Sequence, residues 1–428
     1  MITRRELVRA LQRRGVADWV VLERAQELGI ADETRAVRRR EKRTRTTLIV
    51  HHDVPQGRGS ARLEISASDG DALAIVDQAI VLANEAVGEA WKTVPPAAPA
   101  KVKLLDPELD PQNPRLADLA LDLAAARLLG KLRRPAGSHV SATARVLRER
   151  TIAQAKSGFH DDWLATTLRL DALVTVGGSS LEISREARRS SHLAFDEAIA
   201  NAVTDLQQLA AAGTPAPGPC ALVLGPDALL HGDELGVWSV FAVQGDSVVE
   251  RQGLTRYRLN TPIAPGADQV DKPLAIASDG SIDYALRSAP LGDDGDAIRR
   301  FPLVERGVSV GVAMTMREAA LRRLDPNGGL RNLLVSAGTW DGKPADGRTI
   351  EARRLRALSI DPVTGDASLE IALGIEHQNG TARVFTGGTV RLDLVVALAH
   401  ARRSATTLRR GSYFGPAAVL IEDVELIV

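Results

Sequence analysis

The sequence has one cysteine, Cys220, among 428 residues, so an internal disulfide is excluded. Aromatic residues make up only 3 %, too few to favour a stacking platform for single-stranded nucleic acid. Basic and acidic residues each total 54, so no overall charge attracts nucleic acid. No apolar run approaches the roughly 18 residues that a membrane helix needs. We therefore expect a cytoplasmic protein that binds neither nucleic acid nor membrane.

The N-terminal segment predicts no export signal, because its charges leave no apolar stretch of the kind that signal peptides contain. Hydrophobic residues make up 44 % and charged residues 25 %, an ordinary globular balance. A single strong boundary follows at Thr214–Pro219, where three prolines in six residues are typical of a semi-rigid linker. We predict two domains, residues 1–213 and 214–428.

Apolar spacing predicts the elements of the first domain. It indicates a helix over Glu6–Leu28, broken at Gly15, and a hairpin of strands Thr46–Asp53 and Ala61–Ser66. Further along, it indicates a strand at Thr166–Val176 and a helix over Ala194–Ala212. We also predict an Ala/Leu-rich helix over Pro114–Leu132, inside a stretch, residues 107–135, to which we assign no function.

Beyond the linker the sequence pattern changes to short strand-like runs separated by Gly, Asp and Asn turns. The predicted strands are Cys220–Leu224, Val237–Val243, Leu333–Ala337, Ala367–Ile375 and Ala382–Val396, and Val312–Leu324 and Leu392–Ala401 are predicted helices. The fold class we predict is α+β, with an N-terminal α/β domain of mixed sheet and long helices. The C-terminal domain should be mostly β, of barrel or sandwich type.

Several turn motifs of the C-terminal half together resemble those of the TldD/PmbA family. The loop and strand Asp325–Gly338, the turn Ile360–Asp366, the hairpin Ile375–Gly380 and the segment Phe385–Thr389 are similar to family motifs. Each motif alone is common turn chemistry, and their shared order and spacing carry the resemblance. It extends over nearly the whole chain and is most specific from about residue 275 onward.

Membership in this family would imply a paired enzyme. TldD-type subunits carry an HExxxH zinc motif and a later cysteine, whereas PmbA-type subunits, also called TldE, carry neither. The pair is a metal-dependent protease that admits short or unfolded peptides into an internal chamber. The resemblance thus implies a zinc-bearing, TldD-like partner in a heterodimer; a homodimer is the alternative.

This chain resembles the PmbA type at the position of the zinc motif. His231 follows the predicted strand Cys220–Leu224, but Gly232 and Asp233 come next, and Gly236 stands where the second histidine would be. A hydrolytic zinc needs about three protein ligands and an open position. We therefore expect no catalytic residue, no metal and no cofactor in this chain, with His231 as the sole weak metal candidate.

Two alternatives stay open at this stage. Asp227 and Glu234 lie four residues before and three after His231, so a continuous helix would place all three on one face as an altered metal site. Pro226, Gly232 and Gly236 argue against such a helix. The chain could instead be a standalone peptide- or ligand-binding scaffold. The sequence does not identify the peptide-binding residues.

Overall fold

The computed structural model describes residues 2–33, 37–65, 70–93, 98–110, 112, 120–232, 234–270, 272–292 and 294–428. Residues before the linker form one antiparallel sheet of seven strands in the order β4-β3-β2-β1-β5-β6-β7. Its strands are β1 (Asp18–Asp32), β2 (Val37–Val54), β3 (Gly57–Ile65), β4 (Val87–Gly88), β5 (His139–Ala155), β6 (His160–Val176) and β7 (Ser179–Ala187).

In the described residues of this half, four helices lie on one face of the sheet. They are α1 (Arg4–Arg13), α2 (Ala72–Glu85), α3 (Leu121–Gly130) and α4 (Phe195–Leu209). Their apolar sides pack against inward side chains such as Val21, Leu48, Val146 and Leu170. The opposite face meets the C-terminal half at one end, where Leu291 packs with Val20, Leu22 and Ile49.

The C-terminal half contains fourteen further strands in its described residues, arranged in two sheets. They are β8 (Gly218–Leu224), β9 (Thr261–Pro262), β10 (Ile276–Asp279), β11 (Phe301–Glu305), β12 (Val308–Ser309), β13 (Asn332–Val335), β14 (Thr349–Ile360), β15 (Asp366–Gln378), β16 (Thr381–Phe385), β17 (Thr389–Asp393), β18 (Arg402–Arg403), β19 (Thr407–Arg410), β20 (Tyr413–Pro416) and β21 (Val419–Ile427). The helices are α5 (Pro226–Leu229), α6 (Ser239–Gln244), α7 (Ser247–Arg251), α8 (Met316–Arg322) and α9 (Leu394–His400).

One C-terminal sheet closes into a barrel. Its strands run β14-β8-β21-β17-β15, and β14 also pairs with β15, which joins the two ends. The other sheet runs β19-β20-β13-β10-β11-β12-β9. Leu222, Ile350, Leu369 and Leu426 from the barrel share one apolar core with Ile276 and Leu333 from this second sheet. The predicted α+β class with a barrel-type C-terminal part is confirmed.

Three sequence predictions need correction. The second half of the predicted helix Glu6–Leu28 is strand β1, because its backbone pairs with both β2 and β5. Residues Val237–Val243, predicted as a strand, form a 3₁₀ turn at Gly236–Trp238 followed by α6. The N-terminal sheet is antiparallel throughout rather than mixed, because hairpins join β1 to β2 to β3 and β5 to β6 to β7.

Most of the other predicted elements are present. The hairpin of β2 and β3, the strand β6 and the helices α4 and α9 lie where the sequence placed them. The predicted helix Pro114–Leu132 begins in residues outside the described part, and the described part contains α3. The division into domains at residue 213 stays a prediction. In the described residues no helix has both the length and the apolar character to cross a membrane.

One buried histidine predicts how stability depends on pH. The His51 ring contacts Trp91 edge-on, and its Nδ1 shares a hydrogen bond of 2.8 Å with the Ser60 hydroxyl. Burial, helped by the Arg58 charge, lowers the pKa of His51 to about 4. Protonation therefore favours the unfolded chain, and stability should fall as the pH drops from 6.5 to about 4, by at most about 3 kcal/mol.

The substitution His51→Gln should reduce this fall of the unfolding free energy at acid pH, as measured by urea unfolding at pH 7, 6, 5 and 4.5. His160→Gln, which removes a histidine from an exposed strand end, is the matched control and should keep the wild-type slope. An unchanged slope in His51→Gln would show that other groups govern this fall.

Candidate functional site

The end of strand β8 delivers Asp227 to the junction between the two halves. Gly225 and Pro226 end the strand and begin the single-turn helix α5, and proline suits this first helical position because its missing N–H has no partner there. The Asp227 side chain is only 13 % exposed. The turn thus places a carboxylate inside the protein, where it needs cationic partners.

Three arginines from three strands supply those partners. Arg185 of β7 and Arg410 of β19 each donate to Asp227 Oδ1 at 2.7 Å, and Arg354 of β14 lies 2.9 Å from Oδ2. Burial alone would raise the pKa of Asp227, but the three guanidinium charges outweigh it and hold the pKa below its ordinary value. Asp227 is therefore ionised at neutral pH.

A second buried aspartate extends this network across the junction. Asp205 of α4 accepts hydrogen bonds from Arg353 Nη2 at 3.0 Å and from Arg354 Nε at 2.8 Å. Arg354 thus bridges Asp205 in the N-terminal half and Asp227 in the C-terminal half. We call Asp205, Asp227, Arg185, Arg353, Arg354 and Arg410 the junction network.

A further, half-buried arginine joins the two halves without a carboxylate. Arg188 donates to the backbone carbonyls of Ala285, Leu286 and Ser288 in the C-terminal half, at 2.8, 2.6 and 3.2 Å, and to that of Thr166. Burial lowers its pKa to about 10, which still leaves it charged at pH 7. The junction is therefore held by cations from both sides.

A cavity of about 470 Å³ adjoins the junction network, and we call it the junction cavity. One wall is the beginning of α4 with the residues just before it, including His192 and Ala194. The opposite wall is the segment Thr406–Arg410, which contains β19. Its size is within the usual range for small-ligand and peptide sites.

The structure separates the three side chains of the altered metal site that the sequence left open. Helix α5 ends at Leu229, before His231. Asp227 binds the three arginines, and Glu234 pairs with Arg287 at 3.2 Å. Burial lowers the pKa of His231, so this ring is neutral at pH 7. Asp233 lies outside the described residues.

Gly236 explains why a second histidine does not fit here. Its φ is +54°, a conformation that side-chain-bearing residues rarely adopt. A Cβ at this position would lie 2.1 Å from the Leu229 carbonyl oxygen and 2.5 Å from the Leu230 Cα. Among the residues that the structure describes, no three His, Cys, Asp or Glu side chains come together in a metal-binding arrangement.

The loop that follows His231 faces the helix-free side of the N-terminal sheet. Burial raises the pKa of Glu186 in β7, and the nearby Glu234 charge raises it further. Arg287 offsets part of this negative charge by pairing with Glu234. Sequence reasoning missed these contacts, because the residues lie far apart along the chain.

The junction network was also missed by sequence reasoning, which named Asp227 only as a metal ligand. The one local signal was the presence of two separate pairs of adjacent arginines, Arg353-Arg354 and Arg409-Arg410. Nothing in their spacing connects them to Asp205 or to each other.

The fold and the sequence together define a metallopeptidase-related protein. The sequence profile of the PmbA/TldA metallopeptidase C-terminal domain matches residues 220–427. The chain is a PmbA/TldE-like protein. No curated protein matches the sequence.

Solved structures share the fold at low sequence identity. TldE from Thermococcus kodakarensis is 14 % identical with a TM-score of 0.73, and 99 % of this chain and 100 % of that one are covered. A proposed modulator of DNA gyrase from Bacteroides thetaiotaomicron is 17 % identical with a TM-score of 0.76, covering 100 % and 99 %. Another from Thermotoga maritima is 14 % identical, with a TM-score of 0.75 and 99 % of each chain covered.

Removing the carboxylate charge at the centre of the junction network should destabilise the protein. Asp227→Asn leaves three arginines facing a neutral amide, and the unfolding free energy should fall by about 2–4 kcal/mol. The measurement is urea unfolding at pH 7. Asp341→Asn, at an exposed carboxylate paired with Lys343, is the control and should change stability by less than about 0.5 kcal/mol. Equal stability of Asp227→Asn and wild type would refute a structural role for the network.

Any side chain at Gly236 should be destabilising. Gly236→Ala combines an unfavourable φ with a close backbone contact, so the unfolding free energy should fall by at least about 2 kcal/mol. Gly342→Ala is the matched control, because its φ is also positive but its surroundings are open, and it should lose only about 1 kcal/mol. Gly236→His, tested by zinc titration, should gain no zinc affinity; a tight site in that variant would contradict this account.

Proposed function

We propose that this chain is the non-catalytic, PmbA/TldE-like subunit of a cytoplasmic TldD-type metalloprotease. Its partner is a TldD-like subunit with the HExxxH motif, and that partner supplies the zinc. The heterodimer degrades or processes short or unfolded peptides. This chain completes the peptide chamber and binds peptide.

The backbone around Gly236 is the observation that carries the proposal. In TldD-type relatives, as the resemblance implies, the second zinc-binding histidine stands at this position. Here the chain turns so tightly that a Cβ would meet the Leu229 carbonyl. Asp227, one of the two carboxylates that a continuous helix would place on one face with His231, neutralises arginines instead. These features support a subunit that shapes a site rather than one that performs hydrolysis.

The charged junction supports a role in holding the chamber in shape. Ion pairs of Asp205 and Asp227 and the carbonyl contacts of Arg188 join the two halves through buried groups. Buried charges are strongly oriented, because any displacement leaves an unpaired charge in a medium of low dielectric. A subunit fastened in this way presents its open strand edges and cavities to peptide in a fixed arrangement.

The proposal predicts activity only in a mixture of two proteins. The purified chain and a TldD-like protein from the same source should each be inactive or weakly active alone, and together should form a heterodimer that cleaves an unfolded peptide such as oxidised insulin B chain. A chelator should abolish this activity, as should an alanine in the HExxxH motif of the partner. Peptide cleavage is followed by mass spectrometry and assembly by size-exclusion chromatography with light scattering.

The variant His231→Ala decides between this proposal and the altered metal site. Activity of the mixture should be unchanged by it. Chelator-sensitive cleavage by this chain alone, lost in His231→Ala, would replace the proposal with a divergent metallopeptidase. A stable homodimer that binds peptide and ignores the TldD-like protein would replace it with a standalone scaffold.

A further inference from the structure

Strand β19 forms an open edge of the second C-terminal sheet. Among the described residues it pairs with β20 on one side only, through the two-residue turn Gly411-Ser412, which sets Arg410 opposite Tyr413. In an antiparallel pair, alternate residues bond to the neighbouring strand and the others face outward. The Ala417 N–H donates to the Thr406 carbonyl at 2.9 Å, so residues of the same parity, Leu408 and Arg410, bond inward.

Thr407 and Arg409 therefore direct their backbone N–H and C=O groups away from the sheet. The residue opposite Thr407 is Pro416, which has no N–H to donate, and this agrees with the same alternation. An outward-facing pair of residues offers two donors and two acceptors. This is the pattern that an added strand requires.

The junction cavity runs along this open edge. Five consecutive residues, Thr406–Arg410, line it. Successive side chains of a strand point to opposite faces, so one cavity can meet all five only from the edge. A second space, a groove of about 700 Å³ on the outer face of the sheet, is lined by Thr407, Leu408 and Arg409 as well. The edge thus lies between two spaces large enough for peptide side chains.

Arg409 gives this edge a positive charge; burial lowers its pKa and the nearby Asp283 charge raises it. Its Nη2 donates to the Asp283 carbonyl at 2.7 Å, and its guanidinium lies 4.8 Å from the Phe414 ring centre. In the described part of the chain no carboxylate forms an ion pair with it. The side chain is exposed at the edge, so a ligand can reach it.

The charged residues that line the junction cavity balance among the described residues: Arg185, Arg353, Arg409 and Arg410 against Glu197, Asp205, Asp227 and Glu351. Arg354 bonds both aspartates from outside the lining and adds one further cation. Burial, and the nearby Arg409 charge, lower the pKa of His192, so that ring adds no charge at pH 7. The four network arginines already contact aspartate, and Arg409 is left for a ligand.

We propose that β19 binds an extended acidic peptide as an added strand, with the peptide backbone paired to Thr407 and Arg409 and a peptide carboxylate beside the Arg409 guanidinium. This rests on the proposed function and deepens it, since it assigns the peptide-binding strand and the substrate class. The carboxylate is that of a side chain or of the peptide C-terminus. The peptide lies in the junction cavity between β19 and the start of α4.

A charge-swap cycle tests the proposal on the full chain without its partner. Three fluorescein-labelled hexapeptides are compared by fluorescence anisotropy: one with a central glutamate, one with glutamine in its place, and one with glutamate and N-methyl groups at alternate backbone nitrogens. The wild type should bind the glutamate peptide about three- to fivefold more tightly than the glutamine peptide. N-methylation should weaken binding about tenfold, because it removes the backbone donors.

The variant Arg409→Gln should lose the preference for glutamate, and Arg409→Lys should keep part of it. Arg402→Gln, at an exposed arginine that pairs with Glu422, is the control and should keep the whole preference. Thr407→Pro removes an outward N–H without touching the ladder to β20, so it should weaken all three peptides while unfolding remains as in the wild type. Amidating the C-terminus of the glutamate peptide tells the two carboxylates apart. Binding that needs the terminal carboxylate is then lost, whereas binding that needs the side-chain carboxylate is kept.

Retention of the glutamate preference in Arg409→Gln would overturn the inference, and so would indifference to N-methylation. Such a result would leave the proposed function standing if the mixture with a TldD-like protein still cleaves peptide. Conversely, peptide binding at β19 without any cleaving partner would uphold the inference and remove the protease role.

Discussion

The two halves of this protein are joined through two aspartates that have little exposure to solvent. Asp205 and Asp227 are 3 % and 13 % exposed, and together they bind four arginines from three strands of both halves. A lone charge in such a position would cost several kcal/mol, so each aspartate requires its arginines and each arginine its aspartate. This mutual requirement fixes how strands β7, β14 and β19 meet at the junction.

The same requirement explains why the position of the family's zinc motif has a different chemistry here. The turn after β8 directs the Asp227 carboxylate to arginines. At Gly236 the backbone then turns so tightly that a Cβ would meet the Leu229 carbonyl. Neither feature can be reversed by one substitution, since a histidine needs space and the arginines need a partner. A shared fold therefore does not bring a shared reaction, and the function has to be argued from the site.

Sequence reasoning succeeded where local chemistry decides the structure. The turn between β2 and β3, the apolar strand β8 and the amphipathic helix α4 each carry their signal within a few residues. It failed at β1, whose helical spacing is overridden by backbone pairing with β2 and β5 on both sides. It also failed at the junction network, where Arg185, Asp205, Asp227 and Arg354 are brought together only by the tertiary fold. The periodic spacing of apolar residues in a sequence carries no information about such long-range pairs.

The neighbours Arg409 and Arg410 connect this network to the open strand edge. They lie side by side in β19 and point to opposite faces, so Arg410 is held by Asp227 while Arg409 lies over Phe414 at the edge. Because Arg410 fastens β19 to the turn after β8, and Arg353 and Arg354 fasten α4 to β14, the network sets the distance between the two walls of the junction cavity. The interaction that holds the halves together therefore also sets the width of the cavity in which we propose that an extended peptide binds.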